Sequence, residues 1–286
     1  MIGKRERFQN LLEELFTEMK NEFEEMRDQG LDRKDISGDG DVVTKVDQKM
    51  TEIVVSFFEK QEKEYRLESE EMKKEGSTQG SDNPDYTVIF DEIDGTGNMR
   101  DYAGPYGPIV AIAEGSEPAF NDVIASGFYE MTRNIFYHAY RGIGAFKRHG
   151  MSGEDQVIES SSGETLEIDT GLLIDQAMLS KKPGIAVNAW QSWCNDFGSQ
   201  GHHYALIAEG VREGFMTGGH GLMKDKNTAE ELAGMYLIAK EADASIVDWK
   251  AESIENNKIG MGEELNHNII VASTDKLAEN ISQKIL

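Results

Sequence analysis

Apolar residues recur at Phe8, Leu11, Leu12, Leu15, Phe16, Met19, Phe23 and Met26. That three-and-four spacing, with acids and bases on the opposite side, predicts a helix over residues 5–28. "SGDGDVVTKVDQKMTEIVVSFFEKQ" then reads as a turn, a short apolar piece and a second helix from about Asp47. Residues 73–85, "KKEGSTQGSDNPD", hold almost nothing apolar and predict a mobile surface loop. From Tyr86 the texture changes: "YTVIF", "PIVAIAEG", "DVIASGFYEM" and "NIFYHAYRG" predict strands of a sheet with meander connections.

Residues 150–170 are acidic, rich in Ser and Gly, and form a boundary. It divides the chain into an N-terminal α+β half, 1–150, and a C-terminal α/β half, 151–286, of one compact unit. Beyond the boundary "GIAVNAW", "ASIVDW" and "HNIIVAST" predict strands. Helices are expected at about 200–211 and 228–242, and a last one from near Asp275. Strands alternating with helices indicate a layered α/β arrangement, and no repeat of fixed period is present.

Composition narrows the classes of function. With 286 residues, 38% of them hydrophobic, the chain can bury a sizeable core. Its 53 acids against 29 Lys plus Arg leave a net charge of −24, which repels nucleic acid and anionic lipid. The excess fits a halophilic protein, whose self-repulsion salt would screen, as well as an ordinary acidic one. An anionic substrate would need a local cation to approach. There is no apolar run of spanning length, no basic-then-apolar leader, and Cys194 has no second cysteine to pair with. The expectation is a soluble, cytoplasmic protein with no nucleic-acid or membrane partner.

The candidate chemistry lies in "YTVIFDEIDGTGNM", Tyr86 to Met99, where a buried apolar run opens into two acids and a Gly-Thr-Gly turn. At the carboxyl end of a strand, Asp91 and Asp94 would repel unless a cation lay between them. Oxygen ligands without Cys or His favour a hard ion, Mg²⁺ first, with Mn²⁺ and Ca²⁺ also suited. The glycines would let backbone N–H groups face an anion. On spacing alone, an acidic turn with Asp94 capping a helix accounts for the same residues.

"DEIDGTGNM" resembles the signature of the inositol monophosphatase superfamily, the lithium-sensitive, Mg²⁺-dependent phosphatases. Three more stretches agree in order. "GDVVTKVDQKM" matches with Asp41, Thr44 and Asp47, and "LESEEM" with Glu70 and its neighbour Glu71. "NTAEELAGMYLIAKEADASIVD" matches with Gly234 as anchor, putting Glu230 where the family has a metal acid. "AYRGIGAFKRHG" and "FGSQGHHYALIAEG" are weaker echoes, and the likeness runs from about residue 8 to 286.

The resemblance implies a layered α-β-α-β-α sandwich of the inositol monophosphatase/fructose-1,6-bisphosphatase type. It also implies two or three Mg²⁺ ions, with Mn²⁺ as a substitute. Glu70, Asp91 and the carbonyl of Ile93 would hold the first; Asp91, Asp94 and Glu230 the second; a looser third would lie near Glu70. Thr96, bonded to Asp47, would orient and deprotonate water, with Glu70 also catalytic. N–H groups of Gly95 and Thr96 would grip phosphate, and those of Gly198 and Ser199 would face the rest of the substrate. The implied partners are a small phosphorylated metabolite and a second copy of the chain, as a homodimer.

The implied activity is hydrolysis of inositol monophosphate or fructose 1,6-bisphosphate. A 3′-nucleotidase acting on phosphoadenosine phosphate and a non-catalytic metal-binding regulator are the alternatives, with Asn98 favouring the sugar esters. Several residues depart from the family pattern. Glu92 replaces a Pro and would add charge to the site, Glu230 replaces an Asp, and Ala229 a Trp. The acid used for inositol hydroxyls is replaced within "GFMTGGHGLMKDK", with Thr217 as the candidate substitute.

Several candidates have simpler readings. Glu230 could complete a capping box with Asn227, Glu70 lies in a solvated acidic run, and Asp47 could be an N-cap. His202 and His203 are adjacent and would diverge on a helix, which leaves them as substrate-edge or structural residues. His138 and Cys194 read as packing.

Overall fold

The computed structural model describes residues 2–28, 45–69, 71–72, 79–101, 103–165, 171–174, 193–195, 197–217, 229–259 and 269–285. Two helices come first, α1 (Ile2–Asp28) and α2 (Lys45–Glu59). The predicted stripe is the inward face of α1, with Leu12, Leu15, Phe16 and Met19 fully buried. Gly127 leaves a flat spot on the sheet beneath: a Cβ there would fall 2.6 Å from the Phe16 ring.

Both helices cover an eight-stranded sheet of order β2-β1-β3-β4-β5-β6-β7-β8. Its strands are β1 (Tyr65–Ser69), β2 (Gln79–Gly80), β3 (Tyr86–Asp94), β4 (Gly107–Glu114), β5 (Val123–Glu130), β6 (Ile135–Tyr140), β7 (Gly144–His149) and β8 (Gln156–Ile158). From β3 to β8 each strand pairs antiparallel with the next, the expected meander. β1 runs parallel to β3, with Ser69 opposite Phe90. The segment predicted as a loop contains β2, which pairs with β1.

A second sheet of five strands has the order β10-β9-β11-β13-β12. It comprises β9 (Gly171–Ile174), β10 (Trp193–Asn195), β11 (Gly214–Thr217), β12 (Ser245–Asp248) and β13 (Ile269–Ala272). β9 is parallel to both its neighbours, whereas β13 is antiparallel to β11 and β12. The strand expected at "GIAVNAW" lies outside the described residues.

Beyond the short α3 (Thr96–Asp101) come α4 (Gln200–Ala208) and α5 (Ala229–Glu241), packed between the two sheets. A helix with apolar surface on both sides must be covered on both. Accordingly Leu232, Ala233, Met235, Tyr236, Leu237 and Ile238 of α5 are all buried. The outermost helix, α6 (Asp275–Ile285), is amphipathic and puts Leu277, Ala278 and Ile281 on the second sheet. The layers therefore run α-β-α-β-α, as the resemblance implied.

Two local features fix how the layers sit. A Cβ on Gly234 of α5 would lie 2.0 Å from Cγ2 of Ile109 on β4, so the helix backbone rests directly on that side chain. On the far side of the first sheet, His138 is fully buried between the rings of Phe136 and Phe146. Its neutral ring donates from Nε2 to Asp155 (2.8 Å) and accepts at Nδ1 from the Tyr140 hydroxyl (3.1 Å). Arg148 bridges Asp155 to Glu13 of α1 at 2.7 Å each.

Gly234→Ala is expected to destabilise the protein by about 1–3 kcal/mol through overpacking, read as a fall of several degrees in Tm. The Asp155 cluster makes stability acid-sensitive. Burial acts to raise the Asp155 carboxyl, but hydrogen bonds from His138 and Arg148 overcome it and hold it well below the usual carboxylate range. Burial also lowers His138 against the opposing pull of Asp155. The unfolded chain therefore takes up protons first, at His138 below about pH 6.5 and at Asp155 below about pH 3.9. Unfolding free energy measured in denaturant should fall as pH drops through that window, and Asp155→Asn should flatten the lower part of the fall.

Candidate active site

Residues three apart on an uninterrupted strand point to opposite faces. Asp91 and Asp94 escape this through a bulge: Asp91 lies opposite Ile109 and Asp94 opposite Gly107, three steps on β3 against two on β4. The inserted residue turns both carboxylates to one side, and Asp91 Oδ1 also accepts the N–H of Ile93 at 3.0 Å. The chain then turns at Gly95, whose φ of +79° belongs to glycine, and a Cβ there would meet the Pro105 carbonyl at 2.8 Å.

Asp94 is only 2% exposed and sits on the first turn of α4. Its Oδ2 accepts from the Ser199 hydroxyl (2.5 Å) and the Gly201 N–H (2.8 Å), and its Oδ1 from the Gln200 N–H (3.0 Å). Free N–H groups at a helix start suit an anion. Gly201 is required here, because a Cβ would lie 2.9 Å from the carboxylate. Burial nonetheless pushes Asp94 up to about 6. Ser199 thus lies beside Asp94 and also caps α4 by accepting from the His202 N–H. Asn98 fastens this loop down, its side-chain amide donating to the carbonyls of Pro105 (2.7 Å) and Phe197 (2.6 Å).

The seat of Gly234 on Ile109, the cross-strand partner of Asp91, brings the first turn of α5 to the same point. There one carboxylate oxygen each from Asp91, Asp94 and Glu231 lie within 4.8 Å of one another. Glu230, the acid expected from the alignment on Gly234, is 2% exposed and is not a member of that trio. Adjacent helical residues differ by about 100° in direction, so the two glutamates serve different faces. Sequence reasoning missed Glu231, and its only signal was adjacency to Glu230.

Glu92 does not add charge to the trio. Its Oε1 accepts from the hydroxyls of Thr51 on α2 and Ser69 at the end of β1, both at 2.6 Å. Burial pushes this carboxyl up to about 8 against those hydrogen bonds, so it is largely neutral at pH 7. Asp47 is buried in the first turn of α2. The Thr96 hydroxyl donates to the Ile93 carbonyl (2.8 Å), which commits its one proton there and not to Asp47. Glu70 lies outside the described residues; β1, which leads to it, ends at Ser69 opposite Phe90.

The two histidines of α4 are structural. His203 accepts the Phe197 N–H at Nε2 (2.9 Å) and packs on Phe215, while His202 lies 3.2 Å from both Glu130 and Arg133. Thr217 is buried at the end of β11, its carbonyl accepting from the Trp249 indole (3.2 Å). Chemically, three clustered carboxylates without His or Cys form a donor set that fits a hard divalent ion, which would relieve their repulsion.

No curated protein sequence matches the chain. Among solved structures, a staphylococcal IMPase-II is 18% identical with a TM-score of 0.74, over 96% of this chain and 92% of its own. PH1897 from Pyrococcus horikoshii, described as similar to inositol-1 monophosphatase, is 20% identical with a TM-score of 0.64, over 85% of each chain. A dual-specific IMPase/NADP phosphatase bound to D-inositol-1-phosphate is 17% identical with a TM-score of 0.73, over 98% and 95%. These likenesses establish the shared fold. The sequence model of the inositol monophosphatase family matches residues 5–285, and the chain belongs to that family.

Proposed function

We propose that the protein is a Mg²⁺-dependent phosphomonoesterase acting on a small sugar or polyol phosphate, of the inositol monophosphate or fructose 1,6-bisphosphate type. The observation that carries this reading is the meeting of Asp91, Asp94 and Glu231 beside the start of α4. In this reading Glu70, Asp91 and the Ile93 carbonyl hold one ion. Asp91, Asp94 and an acid of the first turn of α5 hold a second, and geometry favours Glu231 for the place the alignment gave to Glu230. Bound Mg²⁺ supplies water of lowered pKa and neutralises phosphoryl charge.

The remaining work falls to positioning. The N–H groups of Gly95 and Thr96 receive the phosphate, and Gly198 and Ser199 face the rest of the ester. Thr96 and Asp47 orient the attacking water once the Thr96 hydroxyl turns from the Ile93 carbonyl. A nucleotide phosphate is the second reading, favoured by the likeness to a dual-specific IMPase/NADP phosphatase and to a staphylococcal IMPase-II bound to 2′-AMP.

Phosphate release should be measured across inositol monophosphate, fructose 1,6-bisphosphate, 2′-AMP and phosphoadenosine phosphate, with and without Mg²⁺. A sugar or polyol ester is expected to be the best substrate, and no turnover without metal. Silence on every ester with intact metal binding would leave the non-catalytic reading. Asp91→Asn should lower kcat by more than about a hundredfold, with the Tm of metal-free protein unchanged or raised because repulsion is relieved. Li⁺ at roughly tens of millimolar should inhibit by competing at the Asp94 position; full activity there would show that this position differs from that of lithium-sensitive enzymes.

A further inference from the structure

Asn98 lies on α3, two residues after Thr96, and its side chain reaches two other segments at once. The amide nitrogen donates to the Pro105 carbonyl, ahead of β4, at 2.7 Å and to the Phe197 carbonyl, ahead of α4, at 2.6 Å. A carboxamide has two N–H donors, so both are committed. The same contacts settle which way the amide faces, because an oxygen in that place would meet two acceptors.

The surrounding backbone is shaped to admit this group. Gly104 (φ +90°) and Gly198 (φ +68°) are both left-handed, and a Cβ on them would fall 3.0 and 3.1 Å from the amide. One captured carbonyl also bears on the phosphate side. A Cβ on Gly95 would meet the Pro105 carbonyl at 2.8 Å, the Ser199 Cβ at 3.2 Å and the Gly198 carbonyl at 3.3 Å. The turn after Asp94 and the loop before α4 therefore pack against each other, and Asn98 ties them together from α3. A peptide group is planar, so its C=O cannot swing without carrying the following N–H. The bond to the Phe197 carbonyl thus fixes the plane of the peptide that enters Gly198.

We propose that Asn98 is a positioning residue for substrate selection, setting Gly198 and Ser199 against the Gly95 turn so that they meet the part of the ester beyond its phosphate. This rests on the phosphatase reading given above. Asn98 itself touches neither metal nor phosphate in that reading. Asp94 keeps its own bonds to Ser199, Gln200 and Gly201 when the amide is removed. Loss of the amide therefore frees the Phe197–Gly198 peptide and leaves the metal acids held. Its effect falls on the body of the ester.

The test compares wild type, Asn98→Asp and Asn98→Ala on whichever of the four esters named above wild type turns over best, with Mg²⁺. Both variants lose the two donors; the first keeps the shape, and the second adds no charge. Kinetics are read beside inhibition by inorganic phosphate, which reports the phosphate and metal side alone, and beside Mn²⁺ affinity by electron paramagnetic resonance. KM is expected to rise by about tenfold in both variants, the loss of one buried hydrogen bond, with a much smaller change in kcat. In Asn98→Ala, phosphate inhibition and Mn²⁺ affinity should stay at the wild-type level. An unchanged KM in either variant overturns the inference and leaves the phosphatase reading standing. Loss of phosphate or Mn²⁺ affinity in Asn98→Ala overturns it as well, because Asn98 would then hold the whole site together. A wild type that turns over none of the four esters removes both readings.

Discussion

Like charges gathered in a buried place must be balanced, and this constraint organises the molecule around the end of β3. Asp94 meets it by accepting a hydroxyl and two N–H groups from the start of α4, and its carboxyl is still pushed up to about 6 by burial. The protein's own dipoles therefore compensate only in part. Asp91 and Glu231 bring two more carboxylates within 4.8 Å, where helix N-terminal N–H groups alone are a weak answer and a divalent cation a strong one. In the proposed reading, a divalent ion held there would give the site the positive charge that a phosphate ester needs in order to approach a chain of net charge −24.

Holding α4 in place is accordingly a large part of building the site. Asn98 pins the loop before it through two carbonyls, and His203 takes the Phe197 N–H. On the outer side, His202 lies against Glu130 and Arg133, and Arg133 donates to the Tyr137 hydroxyl, which in turn donates to Glu209. Lys147 completes this polar chain at Glu209. A network with so many mutual partners favours one arrangement of the helix start over its alternatives.

Glu92 shows how a departure from family pattern is absorbed. In place of a rigid proline, the chain has a side chain that ties α2 and the end of β1 to β3 through Thr51 and Ser69. Its carboxyl, raised to about 8 by burial, is engaged by those two hydroxyls and is not one of the trio.

Much of this was legible from local order. The stripe Phe8 to Met26 announced the buried face of α1, the runs from Tyr86 announced the meander, and Asp91, Asp94 and Gly95 marked the site by standing where an apolar run breaks. β1, β9 and β10 were not legible, because strands of 3–5 residues paired in parallel take their definition from partners distant in the chain. Nor could the sequence choose between Glu230 and Glu231, or show that Glu92 turns away. Periodicity records which side of an element is buried. Which oxygens meet depends on how a helix seats on a sheet, here Gly234 on Ile109, and on one bulged residue in β3. The first is a packing outcome between residues more than a hundred positions apart and the second a register shift between β3 and β4, and only the tertiary structure decides them.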